Sequence, residues 1–320
     1  MTILSPLTEQ SHVELIEEIS VADITKLYEK QPSLLEVVKA DFEGVKNVGL
    51  YECIETGLKF FYPCITASEE YYNQLNENNN VYYPDRKSEY SYASHFVNQE
   101  DIVLEVGAGK GAFFKYIKPK AYIGLEFSES AIEIASKEGI ELKKESVEDH
   151  SSNSDNKAKY SVAVAFQVLE HVAYPAQFVQ SILECLNEDG VLIISVPSED
   201  AFYSTRVNDI LNLPPHHVTR WSDRALESLA HRFNLEVIGV YHEKLGEAER
   251  GLFLYCIALL ALLKSFGMRK KLVDTSFQFK VVSKIASAIS KFLLKGFQEQ
   301  GLMPNGHSVT VVYRKKQQHS

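Results

Sequence analysis

The chain has 320 residues, enough to bury a sizeable apolar core in one large domain with appendages or in two modest ones. Hydrophobic residues make up 45% and charged residues 24%, which excludes a disordered or fibrous protein. The formal charge of −10 argues against a broad phosphate-binding surface, so no nucleic-acid partner is expected.

In chain order, residues 1–10 show neither a basic stretch nor an apolar one, and no signal peptide is read there. Two amphipathic stretches, 13–19 and 24–38, are expected to be helical, with Pro32 near a helix start. Residues 48–53 and 58–62 read as two strands joined through Thr56-Gly57 as a hairpin. Residues 69–95, rich in Tyr and Asn, read as a helix–loop–helix lead-in. Cys53, Cys64, Cys185 and Cys256 show no Cys-x-x-Cys spacing, which suits free thiols in a reducing compartment. The location expected from these features is cytoplasmic.

From Asp101 the pattern becomes regular. Strands are expected at 101–106, 121–127, 140–145, 160–166, 191–196 and 235–241, and helices at 110–117, 128–137, 175–186 and 223–233. Ser128 is the expected cap of the second of these helices, Gly139 its end, and 151–156 a polar loop. Strands that alternate with helices and are apolar on both faces indicate a parallel sheet covered on both sides. Residues 247–300 then read as helical and apolar. Their longest apolar run, 252–263, falls short of the roughly 20 residues a helix needs to cross a bilayer, so no integral span is expected. Residues 309–313 read as a last strand, suited to an antiparallel edge. The fold class is therefore α/β: a doubly wound, mostly parallel, seven-stranded Rossmann-like sheet with an antiparallel last strand. The expected division is an N-terminal extension over 1–95, a core over 96–246 plus 306–316, and a helical insertion over 247–305.

The segment Glu105-Val106-Gly107-Ala108-Gly109-Lys110-Gly111 lies between an expected strand and an expected helix. Glycines there permit a sharp turn and close approach of a ligand, and the following helix start offers unpaired N–H groups. Such turns occur in several nucleotide-binding families. Glu105 narrows the choice. A carboxylate just before the turn disfavours an anionic pyrophosphate and favours a ligand bearing an ammonium group. Glu126, at the end of the next strand, suits hydrogen bonds to ribose hydroxyls, in nicotinamide and S-adenosylmethionine sites alike.

Taken in order, these residues resemble the class I S-adenosylmethionine-dependent methyltransferases. Residues 103–111 resemble their first motif and Tyr122-Ile123-Gly124-Leu125-Glu126 their ribose-binding strand. Ser146-Val147-Glu148-Asp149 resembles the loop that holds the adenine, and Phe166-Gln167-Val168-Leu169-Glu170-His171-Val172 the fourth motif. Pro214-Pro215-His216-His217-Val218-Thr219-Arg220-Trp221 resembles the His-containing loop of a subgroup that includes ubiquinone-type O-methyltransferases and sugar methyltransferases.

The resemblance implies S-adenosyl-L-methionine as cofactor, held by Glu105, Gly107, Ala108, Gly109, Glu126, Phe127, Val147, Glu148 and Gln167. It implies methyl transfer by direct displacement to a small-molecule or sugar acceptor, with His217, His216 and His171 as candidate bases and His217 preferred. Some of those O-methyltransferases hold a divalent metal with Glu-x-x-Glu-His. Here Gln167 stands at the first position, and an amide is a poorer ligand for a hard cation than a carboxylate, so no metal is expected. More faintly, residues 53–58 resemble a zinc-ribbon module that keeps only one cysteine, and no zinc is expected there either. In this fold an aromatic lead-in such as Tyr71, Tyr72, Tyr82, Tyr83, Tyr90 and Tyr92 often folds over the cofactor. The apolar insertion reads as a lid or a homodimer contact, and Lys264, Arg269, Lys270 and Lys271 keep an interfacial helix open. Two other readings stand beside this one. Gly107, Gly109 and Ala112 also satisfy the spacing of a nicotinamide-dependent oxidoreductase, and the fold also serves non-catalytic binding modules.

Overall fold

The computed structural model describes residues 2–78, 86–296 and 304–316. The chain opens with β1 (Val13–Ser20), α1 (Val21–Lys26), α2 (Pro32–Asp41), β2 (Asn47–Cys53), β3 (Lys59–Tyr62), α3 (Glu69–Asn78) and α4 (Ser88–Ala93). Pro32 does begin a helix, where its missing N–H costs nothing. Residues 13–19, expected to be helical, form β1 instead. The pairing of β1 with β2 slips between Leu15 and Glu17, so its burial does not alternate strictly. That irregularity makes apolar Val13, Ile16 and Ile19 fall at helix-like intervals of three.

The central part runs β4 (Ile102–Val106), β5 (Ala121–Leu125), α5 (Glu129–Lys137), β6 (Leu142–Lys143), α6 (Val147–Ser152), β7 (Tyr160–Phe166), α7 (Pro175–Cys185), β8 (Leu186–Pro197), β9 (Thr219–Arg220), α8 (Asp223–Arg232) and β10 (Leu235–Lys244). α9 (Arg250–Ser265), α10 (Phe277–Leu294) and β11 (Asn305–Lys315) complete it.

Three expected elements differ. The helix expected over 110–117 is a short 3-10 turn, Ala112–Tyr116; Gly111 before it is left-handed at φ 74° and Pro119 stops the chain soon after. The strand expected over 140–145 shrinks to Leu142–Lys143, because the Ile140 N–H bonds back to the Ala135 carbonyl and closes α5. The polar loop expected over 151–156 is partly helical, since the Ser146 hydroxyl caps α6 by accepting from the Asp149 N–H at 3.0 Å.

Seven strands form one sheet in the order β10-β11-β8-β7-β4-β5-β6. β8, β7, β4, β5 and β6 pair in parallel, and β11 is antiparallel to both β8 and β10. The last strand is thus antiparallel but lies inside the sheet, not at its edge. It inserts because Val309, Val311 and Tyr313 on one face and Val312 on the other are apolar, so both sides can be covered. Alternation along the strands divides the core. Leu104, Ala163, Ile194 and Val311 point to the side of α7 and α8, while Val103, Val164, Ile193 and Val312 point toward Tyr90 and Phe113.

A second sheet has the order β1-β2-β3-β9. β9 comes from the chain after β8, so the N-terminal hairpin is completed by a strand from the central part. The Phe61 N–H donates to the Val218 carbonyl at 2.9 Å beside that junction. Among the described residues no helix is long and apolar enough to cross a membrane.

Candidate active site

The carboxyl ends of β4, β5, β7 and β8 converge where an open parallel sheet binds ligands. β4 ends in Gly107 (φ 71°), Gly109 (φ 54°) and Gly111 (φ 74°), backbone that side chains with a Cβ rarely adopt. A Cβ on Gly107 would lie 2.4 Å from Val168 Cγ2, so the turn after β4 closes against the turn after β7 only because Gly107 has no side chain. Gly107→Ala is expected to weaken S-adenosylhomocysteine binding at least about tenfold in calorimetry, through both contact and strain. Unchanged affinity would contradict this account of the turn.

Glu105 sits on β4 with 1% of its surface exposed. Its Oε2 accepts from the Tyr122 phenol at 2.5 Å. Burial pushes its carboxyl up to about 8, although the Tyr122 hydrogen bond and the Lys87 cation favour the ionised form. Glu126, after β5, accepts three backbone N–H groups: Gly109 at 2.8 Å on one oxygen, and Phe127 at 2.8 Å and Ser128 at 2.9 Å on the other. It therefore ties the glycine turn to the start of α5. Phe127 is 60% exposed beside it. Ala108 is buried, and Val147 belongs to the main core while Glu148 opens α6.

Gln167 holds a left-handed backbone at φ 57°. Its amide donates to Glu89 Oε1 at 3.4 Å and to Ser195 Oγ at 3.3 Å. Glu89, on α4, is buried, accepts from the Ser308 hydroxyl at 3.0 Å and lies 3.5 Å from Lys87 Nζ.

A second cluster lies just beyond. His171 follows β7, and His216 and His217 come from the loop before β9. Their rings pack at centroid distances of 4.6–4.8 Å. Each Nδ1 faces an oxygen: His171 the His216 carbonyl at 2.6 Å, His216 the Leu211 carbonyl at 3.0 Å, His217 the Asn212 Oδ1 at 3.3 Å. The Asn212 amide donates to Asp209 at 2.8 Å, which fixes Oδ1 as an acceptor. Carbonyl oxygens only accept, so all three Nδ1 atoms carry the proton and all three Nε2 atoms a lone pair. Burial lowers the pKa of His171 to about 4 and, with the neighbouring His171, that of His216 to about 3. Burial and the adjacent imidazoles hold His217 well below the ordinary histidine range.

Glu170 lies among them. It is 2% exposed, and neither carboxyl oxygen is hydrogen-bonded by another residue, its own backbone N–H being the one donor that favours its ionised form. Its Oε1 is 3.8 Å from His171 Nε2 and 4.0 Å from His217 Nε2, beyond hydrogen-bonding range. Burial pushes it up to about 8. Glu170 and His217 line a small cavity with Ser198, Tyr203, Arg220 and His307.

One ring nitrogen from each of His171, His216 and His217 lies within 4.8 Å of the others, the one group of donors among the described residues that could hold a metal. Sequence reasoning named these three histidines but not their convergence. It leaves Glu170 between a remnant of a metal pattern and strand-end packing, places Tyr122 only in the ribose-binding strand, and gives Glu89 no role. The Tyr72 hydroxyl reaches His171 Nδ1 at 3.3 Å. Tyr71 is buried in the N-terminal core, Tyr90 packs on Phe113 and Phe166, and Tyr92 stacks on Tyr241. Tyr82 and Tyr83 lie outside the described residues.

Comparison with known proteins agrees with this architecture. The family model described as a methyltransferase domain matches residues 78–240, just over half of the chain. The chain belongs to that family. It is a methyl-transferring enzyme. No curated protein matches it by sequence. Similar solved structures include a SAM-dependent methyltransferase from Archaeoglobus fulgidus, 14% identical, covering 77% of this chain and 100% of that one, with a TM-score of 0.48. Another is a SAM-dependent methyltransferase of Thermotoga maritima described as a possible histamine N-methyltransferase, 16% identical, covering 76% and 97%, with a TM-score of 0.46. A third is a methyltransferase from Bacillus halodurans, 15% identical, covering 72% and 98%, with a TM-score of 0.45.

Proposed function

We propose that the enzyme methylates a hydroxyl of a small-molecule or sugar acceptor, with Glu170 taking the proton. The observation that carries this reading is the buried Glu170 carboxyl, which no other residue hydrogen-bonds. A lone buried carboxyl is costly to the fold, and a substrate hydroxyl is the partner that would satisfy it. His217 and His171, held neutral, direct their Nε2 lone pairs at the same place. Their depressed basicity makes them acceptors that orient a hydroxyl, while Glu170, pushed up to about 8, is the stronger base and acts in its ionised form, so turnover should rise with pH toward 8. The role given to His217 from sequence passes in this reading to Glu170.

The cofactor's residues fit around the glycine turn. Gly107 lets the turn close on Val168, Glu126 would meet the ribose hydroxyls from the carboxylate that ties the turn to α5, and Glu105 would offer a carboxyl for the ammonium. Phe127, Val147 and Glu148 flank the adenine side, and Gln167 borders the methionine side. S-adenosylmethionine supplies an already activated methyl on its sulfonium, so the protein's task is to align the acceptor. Such positioning is worth about 7–11 kcal/mol in favourable cases.

The reading is metal-free, as Gln167 in place of the first carboxylate of the metal pattern leads one to expect; one ring nitrogen from each of the three histidines lies within 4.8 Å of the others, so activity in EDTA is the deciding measurement. A working division of the chain is 1–95, 96–246 with 306–316, and 247–305.

The test is methylation of an acceptor panel of sugar nucleotides, phenols and amines, with and without EDTA, products resolved by mass. An O-methyl product formed equally in EDTA supports the reading. Exclusive N-methylation, loss of activity in EDTA, or cofactor binding with no acceptor methylated would overturn it.

A further inference from the structure

We propose that α10 docks the enzyme on an anionic lipid surface. Its 18 residues bury Phe279, Val282, Ala286 and Ser290, three of which pack on Ala258, Leu259 and Leu263 of α9. At about 100° per residue these positions define one face. A second apolar face remains uncovered: Phe277, Val281, Ile285, Ile289, Phe292 and Leu293 all count as exposed, with Phe277 at 81% and Phe292 at 76%. Their spacing of mostly four residues makes a continuous stripe along the helix.

Charge identifies the occupant. Lys280, Lys284, Lys291 and Lys295 fall within a sector of about 60° beside that stripe. Residues 250–297 carry nine basic side chains and a single acidic one, Asp274, in a chain whose net charge is −10. A groove at the start of α10 brings Lys26, Lys30, Lys280 and Lys284 around Phe277 and Val281, with Glu29 and Asp274 also on its wall and Lys26 paired to Asp23. An apolar stripe bordered by lysines, on a helix too short and too polar to span, is the pattern of a helix lying in the plane of an interface. The rings enter the acyl boundary and the ammonium groups meet anionic headgroups. A two-fold contact between copies fits worse. The stripe would meet itself, setting four lysines from each copy side by side with no carboxylate on either helix.

The test is flotation of the full chain with phosphatidylcholine vesicles, with and without phosphatidylglycerol. Binding is expected only with phosphatidylglycerol, and added salt should reverse it. Phe277→Ser with Phe292→Ser should cut binding about tenfold or more, and Lys280→Gln with Lys284→Gln about fivefold per lysine. Both variants should retain the circular dichroism spectrum and S-adenosylhomocysteine affinity of the parent. The proposal fails if anionic vesicles do not float the protein, if uncharged vesicles float it equally, or if the phenylalanine variant instead dissolves a lipid-independent dimer.

Discussion

Glu170→Met is expected to lower turnover by about 10²–10⁴-fold while raising the melting temperature. The first half follows from removing the proton acceptor in a displacement whose methyl donor is already activated. The second follows from the state of the carboxyl in the folded chain. Both oxygens are buried with no partner from another residue, and relieving an unsatisfied buried group is worth about 1–3 kcal/mol. For a chain of this size that is a rise of several degrees. The gain should also depend on pH. The folded pKa of Glu170 is pushed up to about 8 from an ordinary value of 4.5, so between those values the unfolded chain binds fewer protons than the folded one. Stability from this group is complete below pH 4.5 and is lost as pH rises toward 8. The advantage of Glu170→Met over the parent should therefore widen between pH 5 and pH 8 in thermal melts followed by circular dichroism. A variant that melts lower than the parent and turns over normally would show that Glu170 is a packing residue.

A buried carboxyl that no other residue bonds is hard to read from sequence. Glu170 and His171 are visible as neighbours in the chain, but nothing adjacent to them tells that the carboxyl is left unbonded. That depends on His216 and His217, brought in by the loop before β9, and on where Asn212 and Leu211 hold the two rings. The sheet was far more legible. β4, β7 and β8 are apolar on both faces because both faces are covered, and the three left-handed glycines mark the turn after β4 unambiguously. Short elements were the least legible. Ile140 carries the apolar signature of a strand residue but is used to close α5, with its side chain against Gly111. β1 hides behind a slip in register. In each case a tertiary or capping contact took a residue whose local pattern pointed elsewhere. The antiparallel character of β11 was inferred from the helical pair that precedes it. The edge expected for it was not where it lies: it sits between β10 and β8, with apolar residues covered on both of its faces.

Glu105→Gln is expected to weaken S-adenosylhomocysteine binding by about tenfold to a hundredfold at pH 8, the effect of replacing a charged hydrogen-bond acceptor with a neutral one. The product is the better probe than the substrate, because it keeps the ammonium and lacks the sulfonium. The pH dependence carries the sharper information. In the free protein, burial holds the Glu105 carboxyl largely protonated up to about pH 8. An ammonium brought beside it favours the carboxylate, so binding expels a proton below that pH. Parent affinity should then rise with pH, by up to about tenfold per unit, until the free carboxyl ionises. Above about pH 8 it should fall again as the ligand's own α-amino group loses its charge. Glu105→Gln should keep the alkaline limb and lose the acidic one. Calorimetry in buffers of different ionisation enthalpy should likewise show proton release for the parent at pH 7 and little for the variant. The Tyr122 phenol makes the assignment specific. Tyr122→Phe removes the hydrogen bond that favours the carboxylate, which should move the acidic limb to higher pH without abolishing it. If the limb persists in Glu105→Gln, another group pairs with the ammonium, and the selectivity ascribed to the residue ahead of the glycine turn belongs elsewhere.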